Sequence, residues 1–325
     1  MTQVPPLVRT PRFVQLHHDD HAAVRAELAS GLQASAAYTS PKYLYDALGS
    51  RLFEAITELP EYYPTRTEAS IFARDASEMA ARIPQGLTLV DLGAGNCQKA
   101  ARLFDVLRPA RYVAVDISVA FLRGALLSLQ RQHPALDMVG VGMDFSTTLT
   151  LPPPAGEGPR LVFYPGSSIG NFTPAEALTF LRQARQTAQG GGLLIGVDLV
   201  KPVSVLAPAY DDALGVTAAF NRNMLLHINR LLGSDFDVSQ WRHRALFNAR
   251  QARIEMHLDA MQDVTVRWPG AQRHFKQGES IHTENSYKYT LQQFEALLRE
   301  AGFSQVTPWR DAQDWFAVFL ARAGS

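Results

Sequence analysis

Short apolar runs alternate with longer mixed stretches through the middle of this 325-residue chain. Five of the runs have the length of buried strands: Thr88–Leu92, Arg111–Asp116, Asp137–Met143, Arg160–Tyr164 and Gly192–Leu199. The stretches between them carry helix signals, clearest at Thr173-Pro174-Ala175-Glu176, where a capping threonine precedes a proline at the first helical position and a capping-box glutamate. Strands that alternate with helices in this way predict an α/β fold built on a parallel sheet.

The alternation stops on both sides of this region. Before it, we predict an irregular arm over residues 1–20, helices at His21–Gln33, Ser40–Gly49 and Thr67–Ile83, and a loop at Leu59–Pro64. After it, we predict a helix at Tyr210–Leu232, strands at Arg253–Ala260 and Val264–Trp268, a polar segment at His282–Lys288, a helix at Thr290–Ala301 and an antiparallel hairpin formed by Ser304–Trp309 and Trp315–Ala321. We therefore expect an α/β domain of residues 63–200 with 288–325, and a second, α+β domain of residues 10–62 with 201–287.

Composition narrows the range of partners. The 31 basic and 31 acidic residues balance, so we expect no attraction to nucleic acid or to an anionic membrane. We also expect no membrane helix, because no apolar stretch approaches the roughly 20 residues that one requires. We expect no signal peptide, because residues 1–20 contain prolines, arginines and histidines but no apolar run. The single cysteine, Cys97, excludes an internal disulfide and suits a cytoplasmic protein, where we expect it to be a buried filler rather than a reactive thiol. We expect a monomer that binds a small molecule and no metal.

A glycine-rich turn, Asp91-Leu92-Gly93-Ala94-Gly95, follows the first predicted strand. Such a turn lets backbone N–H groups face a ligand at the carboxyl end of the strand. A dinucleotide-binding fingerprint has a third glycine three residues later, and that position here is Gln98. The turn therefore favours a ligand without a pyrophosphate, such as S-adenosylmethionine.

Acidic residues end the next two predicted strands. Asp116 is suited to accept hydrogen bonds from both hydroxyls of a ribose. Asp144 is followed by Phe145, and an acid beside an aromatic ring suits the exocyclic amine and the face of an adenine. Three such features at successive strand ends predict an S-adenosylmethionine site more strongly than any one of them alone.

Several longer segments are more distinctive than the glycine turn. They are Tyr43-Leu44-Tyr45-Asp46-Ala47-Leu48-Gly49-Ser50, Leu59-Pro60-Glu61-Tyr62-Tyr63-Pro64-Thr65-Arg66-Thr67-Glu68, Gly166-Ser167-Ser168-Ile169-Gly170-Asn171, Ala209-Tyr210-Asp211-Asp212, Gly215-Val216-Thr217-Ala218-Ala219-Phe220-Asn221-Arg222-Asn223, Arg253-Ile254-Glu255-Met256 and Thr283-Glu284-Asn285-Ser286. Through these segments the chain resembles the histidine N-alpha-methyltransferases of ergothioneine biosynthesis, from about residue 20 to its C-terminus.

The resemblance implies a fold, a reaction and a set of site residues. It implies a class I methyltransferase domain with a Rossmann-like sheet, at residues 63–200 with 288–325, and a family-specific substrate-binding domain at residues 10–62 with 201–287. The implied reaction transfers three methyl groups in sequence from S-adenosylmethionine to the α-amino nitrogen of histidine, and the product is hercynine. The implied cofactor residues are Gly93, Lys99, Asp116, Asp144 and Phe145; Tyr62, Asn171 and Tyr210 would hold the substrate backbone, Tyr45 and Phe53 would lie near the amine, and Met256, Glu284 and Ser286 would face the imidazole.

The chemistry of these side chains agrees with that reaction. Glu284 and Ser286 are two residues apart, so an extended strand directs both to one face, where they can pair with the two nitrogens of an imidazole. Met256 would provide a polarisable wall against the ring. Tyr45 is a candidate hydrogen-bond acceptor for the amine, and orientation suits it better than base catalysis because a phenol ordinarily has a pKa near 10.

Particular residues disfavour three other functions. The same scaffold acting on another amino acid, such as tryptophan or a derivative, would call for a small residue at position 256 and a non-acidic one at 284, so Met256 and Glu284 disfavour it. An NAD-dependent oxidoreductase is disfavoured by Gln98 at the third glycine position. A regulatory protein that binds the cofactor without catalysis is disfavoured by the complete set of substrate-binding candidates.

Overall fold

The computed structural model describes residues 8–16, 20–117 and 119–323. Its strands are β1 (Arg12–Gln15), β2 (Ala37–Tyr38), β3 (Thr88–Leu92), β4 (Arg111–Asp116), β5 (Asp137–Gly142), β6 (Arg160–Tyr164), β7 (Gly192–Asp198), β8 (Trp241–Asn248), β9 (Arg253–Ala260), β10 (Val264–Trp268), β11 (Ala271–Phe275), β12 (Ser280–Tyr287), β13 (Gln305–Arg310) and β14 (Phe316–Arg322). Its helices are α1 (His21–Gln33), α2 (Ala47–Thr57), α3 (Tyr63–Ala81), α4 (Gln98–Ala101), α5 (Phe104–Leu107), α6 (Val119–Gln132), α7 (Pro174–Ala188), α8 (Val203–Leu206), α9 (Val216–Leu232) and α10 (Leu291–Glu300).

The chain divides into two compact units. The first unit contains residues 1–18, 66–199 and 289–325, and the second contains residues 19–65 and 200–288. Within the described ranges, no helix combines the length and the apolar character needed to cross a membrane.

An eight-stranded sheet organises the first unit, in the order β1-β5-β4-β3-β6-β7-β14-β13. The six strands β1, β5, β4, β3, β6 and β7 pair in parallel. Strand β14 pairs with β7 in the antiparallel direction, and β13 with β14 in the same way. Strand order runs outward in opposite directions from β3, which makes the carboxyl end of β3 the place where such sheets bind ligands. The predicted α/β fold with its C-terminal hairpin is confirmed.

Strand β1 corrects the predicted arm and the predicted boundary of the second domain. Its residues pair with β5, with Arg12 opposite Val139, and so they belong to the first unit. The Arg12 guanidinium donates to Asp137 at 2.9 Å, and Phe13 packs where Gly140 has no side chain, since a Cβ there would lie 2.7 Å from the ring. A four-residue strand is too short to show periodicity, so this pairing had no signal in the sequence.

The second unit combines helices with strands that pair in the antiparallel direction, except β2, which lies parallel to β12. Its main sheet has the order β2-β12-β9-β8, and β10 and β11 form a separate hairpin. Helix α9 supplies Phe220, Met224 and Ile228 to a core shared with Met256 and Leu258 of β9. This unit therefore has a hydrophobic core of its own.

Local hydrogen bonds explain where the helix predictions were wrong. The expected helix at Ser40–Gly49 is instead a 3-10 turn, Pro41–Leu44, followed by α2, because the Asp46 side chain accepts from the Gly49 N–H and starts a new helix. Helix α9 begins at Val216 rather than Tyr210 because Asp212 accepts from the N–H groups of Val216 and Thr217. Helix α3 begins at Tyr63, four residues before the predicted cap, and the polar segment His282–Lys288 is largely strand β12.

Candidate active site

The glycine turn lies at the carboxyl end of β3, as predicted. Gly93 and Gly95 have φ angles of +68° and +52°, a conformation that strains any residue with a Cβ. The Gly93 N–H donates to the carbonyl of Val115 at 2.9 Å, and the Gly95 N–H donates to Oδ2 of Asp116 at 2.9 Å. The turn is thereby tied to the end of β4, and Asp116 is held directly beside it.

Phe145 lies next to this turn. A Cβ built on Gly93 would be 3.9 Å from Cζ of Phe145, so the tip of the ring is close to the bare backbone of the turn. Its edge contacts Tyr164, with ring centroids 5.8 Å apart. The neighbouring Asp144 accepts from the N–H of Ser146 at 3.0 Å, which fixes the loop after β5.

Lys99 is oriented by a buried carboxylate that the sequence analysis did not single out. Glu68 on α3 is 1% exposed. Its Oε2 lies 2.9 Å from Nζ of Lys99, and its Oε1 accepts from the N–H of Gly166 at 2.7 Å. Gly196 makes room for this carboxylate, because a Cβ there would lie 2.1 Å from Oε1. Glu68 is the last residue of the distinctive segment Leu59–Glu68, and this was the only indication in the sequence that it belongs to the site.

These groups are chemically complementary to S-adenosylmethionine. A turn without side chains, the carboxylate of Asp116, the ring of Phe145 and the ammonium of Lys99 match a sulfonium nucleoside with ribose hydroxyls, an adenine and a carboxylate. The half-exposed side chain of Lys99 remains accessible from solvent. The residues present therefore fit the cofactor predicted from the sequence.

Buried polar groups lie beneath the same turn. Burial raises the pKa of Asp91 to about 7, although the Tyr112 hydroxyl donates to its carboxylate at 2.7 Å and opposes the shift. Burial also raises the pKa of the Cys97 thiol to about 12, with the charge of Asp91 acting in the same direction. A fully buried thiol with so high a pKa is not a nucleophile, which confirms Cys97 as a filler residue.

In the second unit, five aromatic rings form a continuous series that we call the aromatic wall: Phe220, Tyr45, Phe53, Tyr62 and Tyr210. Successive ring centroids are 5.5, 5.6, 6.1 and 6.5 Å apart, with mostly edge-to-face geometry. Four of these rings were predicted substrate contacts. Phe220 was missed, although it lies within one of the distinctive sequence segments.

Strands β9 and β12 place three further candidates on one face of their sheet. Glu284 is paired with Met256, and Ser286 is paired with Ile254. Paired residues of antiparallel strands project to the same face, and Met256 and Ile254 face the core of the unit. Glu284 and Ser286 therefore share a buried face with Met256, as their spacing predicted.

A three-atom contact joins this face to the aromatic wall. The Tyr210 hydroxyl lies 2.7 Å from Oγ of Ser286, and Nζ of Lys288 donates to both oxygens, at 2.8 and 2.7 Å respectively. The ammonium also lies 4.8 Å from the centre of the Tyr210 ring. Lys288 was not a sequence candidate, because nothing near it in the sequence shows that it contacts Tyr210.

Asn171 belongs to the first unit. It ends a 3-10 turn, Ser168–Asn171, that follows β6. The N-cap of the following helix is Thr173, whose side chain accepts from the N–H of Glu176 while the Glu176 carboxylate accepts from Thr173. Helix capping is therefore not the reason for an asparagine at position 171.

The opposite face of the β9–β12 pair carries a polar cluster that sequence analysis missed. The rings of His257 and His282 are stacked with centroids 4.8 Å apart, and Nε2 of His257 lies 3.2 Å from Glu255. Burial lowers the pKa of both histidines. Burial would raise the pKa of Glu255, but hydrogen bonds, chiefly from Asn248 and Arg253, outweigh it and lower that pKa to about 2. Although the three side chains are of metal-ligating type, the Arg253 guanidinium already occupies the carboxylate at 2.6 Å.

Comparisons with known proteins agree with this geometry. A model of the family described as histidine-specific, S-adenosylmethionine-dependent methyltransferases matches residues 24–323. The chain is 42% identical to a histidine N-alpha-methyltransferase of Mycolicibacterium smegmatis over 306 residues, covering 92% of this chain and 94% of the relative. It is 41% identical to the protein of that name from Mycobacterium tuberculosis over 308 residues, covering 93% and 95%. It is 30% identical to ergothioneine biosynthesis protein 1 of Neurospora crassa, covering 86% of this chain and 32% of that longer protein. The chain therefore belongs to the histidine-specific, S-adenosylmethionine-dependent methyltransferases.

Proposed function

We propose that this protein transfers three methyl groups from S-adenosylmethionine to the α-amino nitrogen of L-histidine and forms hercynine, the first step of ergothioneine biosynthesis. The observation that carries the proposal is the buried face on which Met256, Glu284 and Ser286 lie together. A carboxylate and a hydroxyl on one apolar face suit a flat ring that has two nitrogens. An indole, which has one N–H, could pair with only one of these two groups.

The imidazole end of the substrate determines selectivity in this proposal. The Glu284 carboxylate accepts from one ring N–H, and Ser286 pairs with the second nitrogen. The Glu284 bond is charge-assisted, and Glu284 is only 9% exposed; such bonds are stronger where water is largely excluded. The thioether of Met256 packs against the face of the ring.

The amine end requires orientation and loss of a proton. When bound, S-adenosylmethionine would supply an electrophilic methyl carbon, which the amine lone pair attacks in line while the carbon–sulfur bond breaks and the thioether leaves. Histidine enters as an α-ammonium, so a proton must leave the nitrogen before each transfer. Tyr45, held edge-on by Phe53 and Phe220, accepts a hydrogen bond from the substrate nitrogen as long as that nitrogen carries an N–H, and so aligns its lone pair. The aromatic wall excludes water from the nitrogen as its methyl groups accumulate.

The cofactor is held by residues of the first unit. Asp116 accepts from the ribose hydroxyls, Phe145 contacts the adenine, and the ammonium of Lys99 pairs with the carboxylate. Gly93 keeps the backbone close to the ligand because it has no side chain. These roles require no movement of the turn, which is already tied to Val115 and Asp116.

Mass spectrometry of L-histidine incubated with the protein and S-adenosylmethionine tests the proposal. We expect products that carry one, two and three additional methyl groups, with the trimethylated species accumulating. L-tryptophan is the matched competitor, and Glu284→Ala should lose the preference for histidine while binding the cofactor normally. Methylation of tryptophan or of another amine, with histidine left unmodified, would refute the proposal.

A further inference from the structure

The distinctive segment Gly215–Asn223 contains a buried asparagine to which the proposed function gives no role. Asn221 lies on α9 and is 0% exposed. Its Nδ2 lies 2.9 Å from Nδ1 of His243 on β8 and 3.1 Å from the carbonyl oxygen of His257 on β9. Because a carbonyl oxygen only accepts, Nδ2 donates one N–H to His257, and its second N–H is directed to the His243 ring. One amide therefore joins α9 to two strands of the sheet.

The ring of His243 is held in one tautomer by its two partners. Its side chain is 1% exposed, and Nε2 lies 2.8 Å from the carbonyl oxygen of Tyr210. This carbonyl only accepts, so Nε2 carries a proton, and Nδ1 carries none and accepts from Asn221. Burial lowers the pKa of His243, which also favours the neutral ring. The direction of both hydrogen bonds is thereby fixed, from Asn221 to His243 and from His243 to Tyr210.

Tyr210 lies in the loop between a 3-10 turn, Ala207–Ala209, and α9. Its ring is the last of the aromatic wall, with the centroid of the Tyr62 ring 6.5 Å away, and its hydroxyl lies 2.7 Å from Oγ of Ser286. Both of these neighbours are predicted substrate residues. A hydrogen bond that fixes the backbone carbonyl of Tyr210 also restricts where its ring lies beside them.

Resting on the proposed function, we propose that His243 is a positioning residue for the binding of L-histidine. Asn221 keeps the His243 ring in the tautomer that donates to the Tyr210 carbonyl, and this bond places the Tyr210 ring in the site. The contacts of the Tyr210 hydroxyl are left as they are, because His243 acts on the backbone. Asn221 also donates to the carbonyl of His257, the residue next to Met256 on β9. The same amide thus fixes Tyr210 relative to the strand that carries the predicted wall of the imidazole site.

The test compares His243→Leu, which removes both hydrogen bonds, with His243→Gln, whose amide offers a donor to Tyr210 and an acceptor to Asn221. For His243→Leu we expect KM for L-histidine to rise by about 10-fold, because the Tyr210 carbonyl loses its buried donor and the ring loses its fixed place. The change in kcat should stay within about threefold, since Tyr210 is predicted to hold the substrate backbone and not the reacting nitrogen. His243→Gln should recover most of the affinity for L-histidine, and both variants should bind S-adenosylmethionine as the wild type does.

His227→Leu is the matched control. His227 also lies in the second unit, and its Nδ1 lies 2.8 Å from the carbonyl oxygen of Tyr43, which is not a predicted substrate residue. The substitution removes the same kind of hydrogen bond, so it should lower the melting temperature, as His243→Leu does, and leave KM within about twofold of the wild type. Equal rises in KM for the two variants would assign His243 a structural role and overturn the proposal, as would an unchanged KM for His243→Leu.

Nitrogen-15 NMR of the wild-type protein labelled in its histidines provides a second test if His243→Leu does not fold. The His243 signals are identified by their absence from the spectrum of His243→Gln. We expect a proton on Nε2 and none on Nδ1, and a shift of these signals when unlabelled L-histidine is added with S-adenosylhomocysteine, which cannot donate a methyl group. A proton on Nδ1, or signals that do not respond to L-histidine, would overturn the proposal. A wild type that leaves L-histidine unmethylated in the presence of S-adenosylmethionine would instead refute the proposed function.

Discussion

His282 and Glu284 project to opposite faces of the second unit's sheet, although only one residue separates them. His282 is paired with His257 on the polar face, and Glu284 is paired with Met256 on the core face, because the register shifts between them. Residues two apart on a regular strand would share a face. The extra residue of this bulge, Thr283, donates from Oγ1 to the carbonyl of Met256 at 3.0 Å. The bulge therefore places Glu284 on the face of Met256, where the proposed imidazole site would lie, and His282 on the opposite face.

Glu284→Gln should weaken histidine binding and leave cofactor binding unchanged. The amide keeps the size of the side chain and loses the charge that strengthens its bond to the ring N–H. We expect KM for histidine to rise by about 10- to 100-fold, while the dissociation constant of S-adenosylmethionine, measured by calorimetry, stays within about twofold.

His282→Gln is the matched control for that variant. It lies on the same strand, two residues away, and faces the stacked ring of His257 rather than Met256. Its KM for histidine should remain near that of the wild type. A fall in cofactor affinity for Glu284→Gln with normal histidine binding would show that Glu284 has been assigned to the wrong ligand.

Glu68→Ala should destabilise the first unit. The substitution leaves the N–H of Gly166 and the ammonium of Lys99 without their carboxylate, and it opens a space beside Gly196. We expect the free energy of unfolding in urea to fall by about 2 to 4 kcal/mol, because the Glu68 carboxylate is buried and its loss leaves the hydrogen bonds that it accepts unmade.

Glu78→Ala on the same helix provides the comparison. Its carboxylate is exposed and pairs with Arg82 four residues later, at 2.9 Å. Such surface pairs contribute little, so its loss should stay below about 0.5 kcal/mol. If the two variants unfold at the same urea concentration, the carboxylate of Glu68 is not a structural anchor.

Phe220→Leu should lower turnover more than it lowers stability. Leucine fills most of the volume but removes the edge that holds the Tyr45 ring, 5.5 Å away. If Tyr45 aligns the amine, kcat for histidine should fall by about tenfold, since small misplacements at the reacting atoms are costly. Phe236→Leu, in the same core but against Trp241, should leave kcat unchanged. Equal effects of the two substitutions on kcat would argue against a role of the wall in aligning the amine.

The strands of the first unit were predictable because both faces of a parallel sheet are covered. Strands β3, β6 and β7 are buried along their whole length, so their sequences are continuous apolar runs. Strand β12 gave no such signal, because its two faces carry His282 on one side and Glu284 and Ser286 on the other. When both faces of a strand carry polar side chains, the alternation of apolar and polar residues is lost and the sequence resembles that of a loop.

The candidate site was predictable only where its residues are close in the sequence. Glu284 and Ser286 share a face because they are two apart, and spacing alone shows this. Lys288 meets Tyr210 across 78 positions, and Glu68 meets Gly166 across 98. Contacts of that separation depend on how the elements pack, and no periodicity in the sequence encodes them.

Asp91→Asn should change the pH dependence of stability. Burial raises the pKa of Asp91 from its ordinary 3.8 to about 7, so the folded protein binds a proton that the unfolded chain has released between these values. The contribution of the protonated side chain is complete below about pH 4 and is lost as the pH rises to about 7. The free energy of unfolding of the wild type should therefore fall by up to about 4 kcal/mol relative to the variant across this window.

The asparagine can still accept from the Tyr112 hydroxyl, so the difference between the two proteins reports the ionisation of Asp91 alone. Urea unfolding at half-unit pH intervals measures it, with the exposed Asp105→Asn as control. Parallel curves for the wild type and Asp91→Asn would mean that Asp91 is ionised throughout, in which case the charge of Lys99 and the Tyr112 hydrogen bond outweigh burial.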